Sequence, residues 1–202
     1  MNVALLSAVV AISAVLAPPA SRANSPGLAG DTVLIIRHAE KPADKVNGGV
    51  GLAPAGEARA RAYANYFGHF SLDGVPVRIT DLVATADSAN SARPRLTLTP
   101  LSQAVGLPIQ QPFADDQVMA LADWIAQGEP RRTILIAWHH HKLPQLLAAL
   151  GADPMTLIPG GTWPDNTYDW VQVLRYDDRG RLQHPARLVE PKLIADGEVA
   201  GR

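Results

Sequence analysis

Thr32-Val33-Leu34-Ile35-Ile36-Arg37-His38-Ala39-Glu40-Lys41-Pro42 is the stretch on which the fold turns. A short, β-branched apolar run reads as a buried strand that stops at Arg37. Side chains at the carboxyl end of such a strand project into the crevice where open α/β sheets bind their ligands. A guanidinium beside an imidazole there suggests chemistry on an anion. The planar fork of Arg grips phosphate, and His serves as nucleophile or proton carrier.

Outward from that strand the pattern alternates. A Gly-rich loop, Asn47-Gly48-Gly49-Val50-Gly51, leads to Leu52-Ala53-Pro54-Ala55-Gly56-Glu57, a helix start with Pro54 in its first turn, continued over 58–67. A second strand is best placed at 81–84. Helical content over 93–105 carries Pro94 early and Pro100 inside, which predicts a kink. Asp115-Asp116 reads as the acidic opening of another helix closed by Gly128. The clearest central strand is 132–138, followed directly by His139-His140-His141. A short helix over 143–150, a strand over 171–176 and an edge strand near 181–189 complete the chain. This order predicts an α/β three-layer sandwich: a mostly parallel sheet, helices on both faces, and an antiparallel edge.

Two strands thus end in histidine, at Arg37-His38 and Trp138-His139-His140. If they are parallel, both ends share one rim. Arg93 or Arg95, after the second strand, supplies a further guanidinium. Two Arg and two His at one point make a cationic pocket suited to a phosphate monoester, whose transfer depends mostly on positioning and charge stabilisation.

At these residues the chain resembles the histidine phosphatase superfamily, the phosphoglycerate-mutase-like enzymes. Residues 34–41 are similar to its strand-plus-Arg-His signature. Residues 52–60 are similar to its Leu-Thr-x-x-Gly helix start. Arg93-Pro94-Arg95-Leu96-Thr97 with Gly106-Leu107-Pro108 is similar to its second arginine motif, and residues 134–140 to its later strand-plus-histidine. The four occur in the family's order over about residues 32–150.

The resemblance implies a phosphoric monoester hydrolase that needs no cofactor or metal. His38 would be the nucleophile that becomes a phosphohistidine. Arg37 and Arg93 would hold the phosphoryl oxygens, Arg93 rather than Arg95 because it stands four before Thr97. A late His would bond the same oxygens. His140 is favoured and His139 kept, because neighbouring strand residues face opposite ways and one is expected to enter. His38 should donate from its other nitrogen to an acceptor such as a backbone carbonyl. Lys41 and Glu40 are candidate substrate contacts. The chain departs from the pattern with Ala39 for Gly and with Trp138-His139-His140 for Ser-His-Gly. No proton donor to the leaving group stands out among Glu40, Asp115 and Asp116. Glu40 fits a loop ion pair better, and Asp115 and Asp116 fit helix-start charges better. Loop 163–169, rich in aromatics, reads as a pocket wall or as packing. The alternatives are a phosphomutase of the same superfamily, or a non-enzymatic binder of phosphorylated ligands or of a metal held by His139 and His141.

The ends and the composition bound the rest. Residues 3–17 are nearly all Ala, Val, Leu and Ile, then Pro18-Pro19 and Ser21-Arg22-Ala23 follow. This predicts a signal peptide over 1–23, cleaved before Asn24, although Met1-Asn2 carries no basic residue. The protein is therefore expected in the periplasm or outside the cell, with no membrane insertion after cleavage. Removing 23 of 202 residues leaves 179, enough for one domain over 32–202 after a linker at 24–31. With no cysteine there is no disulfide and no thiol nucleophile. A net charge of −1 without a basic run gives no reason to expect nucleic acid. The expected partner is a small-molecule or protein phosphate monoester.

Overall fold

The computed structural model describes residues 26–43 and 49–194. The expected leader, and Asn47-Gly48 of the Gly-rich loop, lie outside the described residues. The elements in chain order are β1 (Thr32–Arg37), α1 (Pro54–Gly68), a small hairpin of β2 (Ser71–Leu72) and β3 (Val75–Pro76), β4 (Asp81–Ala84), α2 (Arg93–Val105), β5 (Ile109–Gln110), α3 (Val118–Ala126), β6 (Thr133–Trp138), α4 (Leu143–Ala149), α5 (Pro154–Leu157), β7 (Trp170–Arg175) and β8 (Ala186–Val189).

Six strands form one sheet in the order β5-β4-β6-β1-β7-β8. The first four are parallel, and β7 and β8 run antiparallel at one side. The alternation of β1 explains its unbroken apolar run. Val33 and Ile35 enter the core beneath α3, α4 and α5, where Leu121, Ile125, Leu143 and Leu147 are buried. Leu34 and Ile36 enter the core beneath α1 and α2, with Tyr63, Phe67, Leu98 and Leu101. A strand covered on both faces must be apolar at every position. The architecture is the expected three-layer sandwich with an antiparallel edge. Among the described residues no helix is long and apolar enough to cross a membrane.

Three local readings change. The helix expected at Asp115-Asp116 begins at Val118 and ends at Ala126. Asp115 is engaged elsewhere: its carbonyl accepts from Trp138 Nε1 at 3.2 Å and its carboxylate from His141 at 2.8 Å. β5 and the β2–β3 hairpin have two-residue strands, too short for a periodic signal. The edge strand narrows to Ala186–Val189, because Asp177 organises a turn through bonds to Arg179 and Arg181.

β1 and β6 are neighbours in register, Arg37 opposite Trp138. Their carboxyl ends therefore open onto the same rim, which brings His38 beside His139.

Candidate active site

His38 directly follows the last residue of β1 and is 3% exposed. Its backbone N–H still bonds the Trp138 carbonyl at 3.0 Å, so the residue is anchored to the end of β6. The Ala39 N–H donates to Thr97 Oγ1 at 2.8 Å, and that hydroxyl donates to the Arg93 carbonyl at 2.8 Å. Thr97 thereby ties the first turn of α2 to the residue after His38. On the other side the start of α1 lies against Glu40. Ala53 N–H donates to the Glu40 carbonyl at 2.9 Å. A Cβ on Gly56 would collide with that same oxygen, so only glycine permits the approach.

The imidazole of His38 has one nitrogen committed. Nδ1 lies 2.7 Å from the Ala39 carbonyl oxygen and must donate to it. The neutral ring therefore carries its lone pair on Nε2. Burial pulls its pKa down to about 3, against the Ala39 bond, with His139, Arg37 and Arg93 adding repulsion. The ring is neutral throughout the physiological range.

The His139 ring meets the His38 ring edge-on, with centroids 5.0 Å apart. His140 Nε2 donates to Asp165 Oδ1 at 2.8 Å, while its Nδ1 is buried without a partner. The expectation that one of the two enters, His140 before His139, does not describe this arrangement. β6 ends at Trp138, His139 is extended, and His140–Lys142 is a 3-10 turn, so strand alternation no longer applies. His139 takes the place against His38, and His140 lies in the field of Arg37. Burial lowers the pKa of both imidazoles, and the nearby cations lower it further.

Arg37 is fully buried at the end of β1. Its Nη1 donates to the carbonyls of Pro164, Asp165 and Thr167 at 3.1, 2.6 and 3.2 Å. Its Nη2 donates to Tyr168 Oη at 3.2 Å, and Cζ sits 4.0 Å over the Tyr168 ring. Arg93, at the start of α2, donates through Nε to Gly51 O at 2.8 Å and through Nη2 to Gly49 O at 2.7 Å. Among the described residues neither guanidinium has a carboxylate partner. Arg95 does: it pairs with Asp87 at 2.7 Å.

The sequence matches no family profile and no curated protein. Solved structures do match. A protein described as the phosphohistidine phosphatase SixA from Agrobacterium tumefaciens superposes with a TM-score of 0.53 at 20% identity, over 80% of this chain and 99% of that one. The protein histidine phosphatase SixA complexed with tungstate superposes at 0.50 and 18% identity, over 76% and 95%. This is the histidine phosphatase fold.

On the histidine phosphatase fold the remaining candidates fall in distinct places. Glu40 forms the ion pair that the sequence also allowed: its carboxylate takes Nε and Nη2 of Arg59 at 2.8–3.1 Å. It faces a cavity of about 610 Å³ that it shares with Arg59, Tyr168 and Glu190, and that excludes Arg37 and His38. Lys41 is exposed and close enough to Asp165 to help His140 lower that carboxyl's pKa. Asp116 is exposed, whereas Asp115 lies among the histidines. Asp115 Oδ2 accepts from His141 at 2.8 Å, and its Oδ1 is buried without a partner. Of the three consecutive histidines, His140 bonds Asp165 and His141 bonds Asp115.

Sequence reasoning missed two contributors. Thr97 was visible only as a spacing mark for Arg93. Loop 163–168 had one signal, aromatics before a strand, which left wall and packing unresolved. It does both: Trp163 is buried and donates to Thr167 O at 3.0 Å, while the loop's carbonyls and Tyr168 surround Arg37.

Proposed function

We propose that this chain is a phosphoric monoester hydrolase working through a phosphohistidine on His38. The observation that carries the reading is the committed Nδ1 of His38. It leaves a neutral Nε2 lone pair beside two guanidiniums that, among the described residues, bond no carboxylate. Arg37 and Arg93 bind the phosphoryl oxygens, and His139 adds a donor. Nε2 attacks phosphorus as the ester P–O bond breaks, and the departing oxygen takes a proton. We assign that proton to Asp115, whose Oδ1 is buried and unpartnered beside the histidines. Water then attacks the phosphohistidine and returns a proton to the Asp115 carboxylate, the P–N bond breaks, phosphate leaves, and His38 is neutral again. A similarly folded protein has been solved in complex with tungstate, which supports an oxyanion as the ligand class.

Hydrolysis of an aryl phosphate by the wild type and by His38→Ala, with and without chelator, tests the reading. It expects a wild-type rate indifferent to chelator and an inactive variant. Equal hydrolysis by the two proteins would overturn it.

We also propose export, on the apolar leader alone. The mature protein recovered from cells is then expected to begin at Asn24. An intact Met1 on that protein would overturn the proposal.

A further inference from the structure

Arg37 raises a question of geometry. A guanidinium has five N–H groups in one plane and can offer two oxygens a fork in more than one way. Here the end-on fork needs Nη1, and Nη1 is spent on the three loop carbonyls. Tyr168 Oη takes one N–H of Nη2. What remains is one N–H on Nη2 and the Nε–H, which is buried without an acceptor.

We propose that loop 163–168 is a built part of the phosphate clamp, with Tyr168 its positioning residue. The loop fixes the guanidinium so that its Nε–Nη2 edge faces the bound phosphoryl group. The inference rests on the phosphatase reading and adds a residue and a geometry to it.

Further contacts support the assignment. Arg37 Cζ sits over the Tyr168 ring, 4.0 Å from its centroid, so the phenol packs against the guanidinium as well as bonding it. The loop itself is pinned. Trp163 Nε1 donates to Thr167 O at 3.0 Å, and Tyr63 Oη donates to Tyr168 O at 3.3 Å. Tyr168 also lies close enough to Arg93 to act on its charge, so one phenol stands by both arms of the clamp. Asp165 extends the same support to His140, through its carboxylate, while its carbonyl holds Arg37. The loop's hydrogen bonds to Arg37 all come from carbonyls and a phenol, while the Asp165 carboxylate, bonded to His140, attracts it from further off. The loop orients the cation and leaves its Nε–Nη2 edge for a ligand.

The test is binding of inorganic phosphate by calorimetry, together with KM and kcat for an aryl phosphate, in wild type, Tyr168→Phe, Tyr168→Leu and each combined with Arg37→Lys. Tyr168→Phe removes the hydroxyl and keeps the ring. It is expected to weaken phosphate binding about tenfold, the scale of one hydrogen bond to a charged group. Tyr168→Leu is expected to weaken it further, with an unchanged thermal midpoint in Tyr168→Phe as the control on folding. In the Arg37→Lys background, which has no fork to orient, Tyr168→Phe should cost nothing more. Wild-type phosphate binding in both Tyr168 variants would overturn the inference, as would a full additive loss on Arg37→Lys. If the wild type hydrolyses but the variants match it, this inference alone fails. If the wild type binds no phosphate and hydrolyses nothing, the phosphatase reading fails with it.

Discussion

β1 and β6 carry cations at both of their shared ends, and the two ends are built in opposite ways. At the amino end, Arg132 meets a carboxylate: its Nη2 donates to Asp31 Oδ2 and its backbone N–H to Oδ1, both at 2.7 Å. Asp31 is fully buried, and burial raises its pKa against the pull of Arg132. At the carboxyl end, Arg37 is as deeply buried but is met by carbonyls and a phenol. Both guanidiniums leave Nε without an acceptor, so the count of unmet N–H groups does not separate them. Charge does. One end is a closed ion pair that staples two strands, and the other holds guanidiniums that, among the described residues, bond no carboxylate and stand around a neutral imidazole. A buried cation without a counterion is costly unless a bound anion supplies one. The sheet thus keeps its structural charge at one rim and its chemical charge at the other.

The comparison breaks most sharply at His38. His38→Ala should lower kcat/KM for an aryl phosphate by roughly 10⁴-fold or more, because the attacking nitrogen is removed. Arg37→Met should cost about 10²- to 10³-fold, the usual loss for one charge-stabilising donor. Its mirror image, Arg132→Met, should leave kcat/KM within about twofold yet lower unfolding stability by about 3 kcal/mol, as Asp31 is left buried and unpaired. Urea denaturation with parallel kinetics reads both. A variant at Arg132 that loses activity while keeping its stability would dissolve the distinction between the ends.

Much of this was legible in the chain. β1 and β6 could be read because a strand buried on both faces is apolar throughout, and the charges at their ends then stand out. The helix at Pro54 was legible from a proline and a glycine, and Gly56 proves to be needed where α1 touches the Glu40 carbonyl. The three-layer order followed from alternation alone. What stayed hidden depends on contacts distant in sequence. Arg37 reaches its loop partners across 127–131 residues, and no local pattern encodes that. The choice between His139 and His140 turned on where β6 ends, a boundary of one residue. Asp115 read as a helix opener because acidic residues favour that position, but Trp138 and His141 claim it.

Two pH effects sharpen the account further. Glu190 is buried, accepts from Tyr63 Oη at 2.7 Å, and has only Nη1 of Arg59, whose other groups serve Glu40. Burial therefore outweighs its partners and lifts its pKa to about 7 from 4.5. The folded state binds this proton more tightly than the unfolded chain. Stability from Glu190 is full below pH 4.5 and falls as pH rises through about 7, by at most about 3 kcal/mol. Glu190→Gln should flatten that dependence in denaturation curves taken from pH 5 to 8. The smaller effect concerns His38. Because its pKa sits near 3, kcat/KM should show no acid limb at the ordinary histidine value of 6.5 that follows His38 protonation. NMR titration of the His38 ring alongside the rate profile checks this, and a ring titrating near 6.5 in step with activity would contradict it.

The central claim is that the unpaired rim forms a covalent bond through His38. The most direct test mixes the protein with a phosphate monoester, quenches in alkali within the first turnovers, and maps phosphorylated peptides by mass spectrometry. The account predicts an acid-labile, alkali-stable phosphoryl group on His38, absent in His38→Ala. Turnover of the ester with no phosphorylated His38 at any quench time would contradict it.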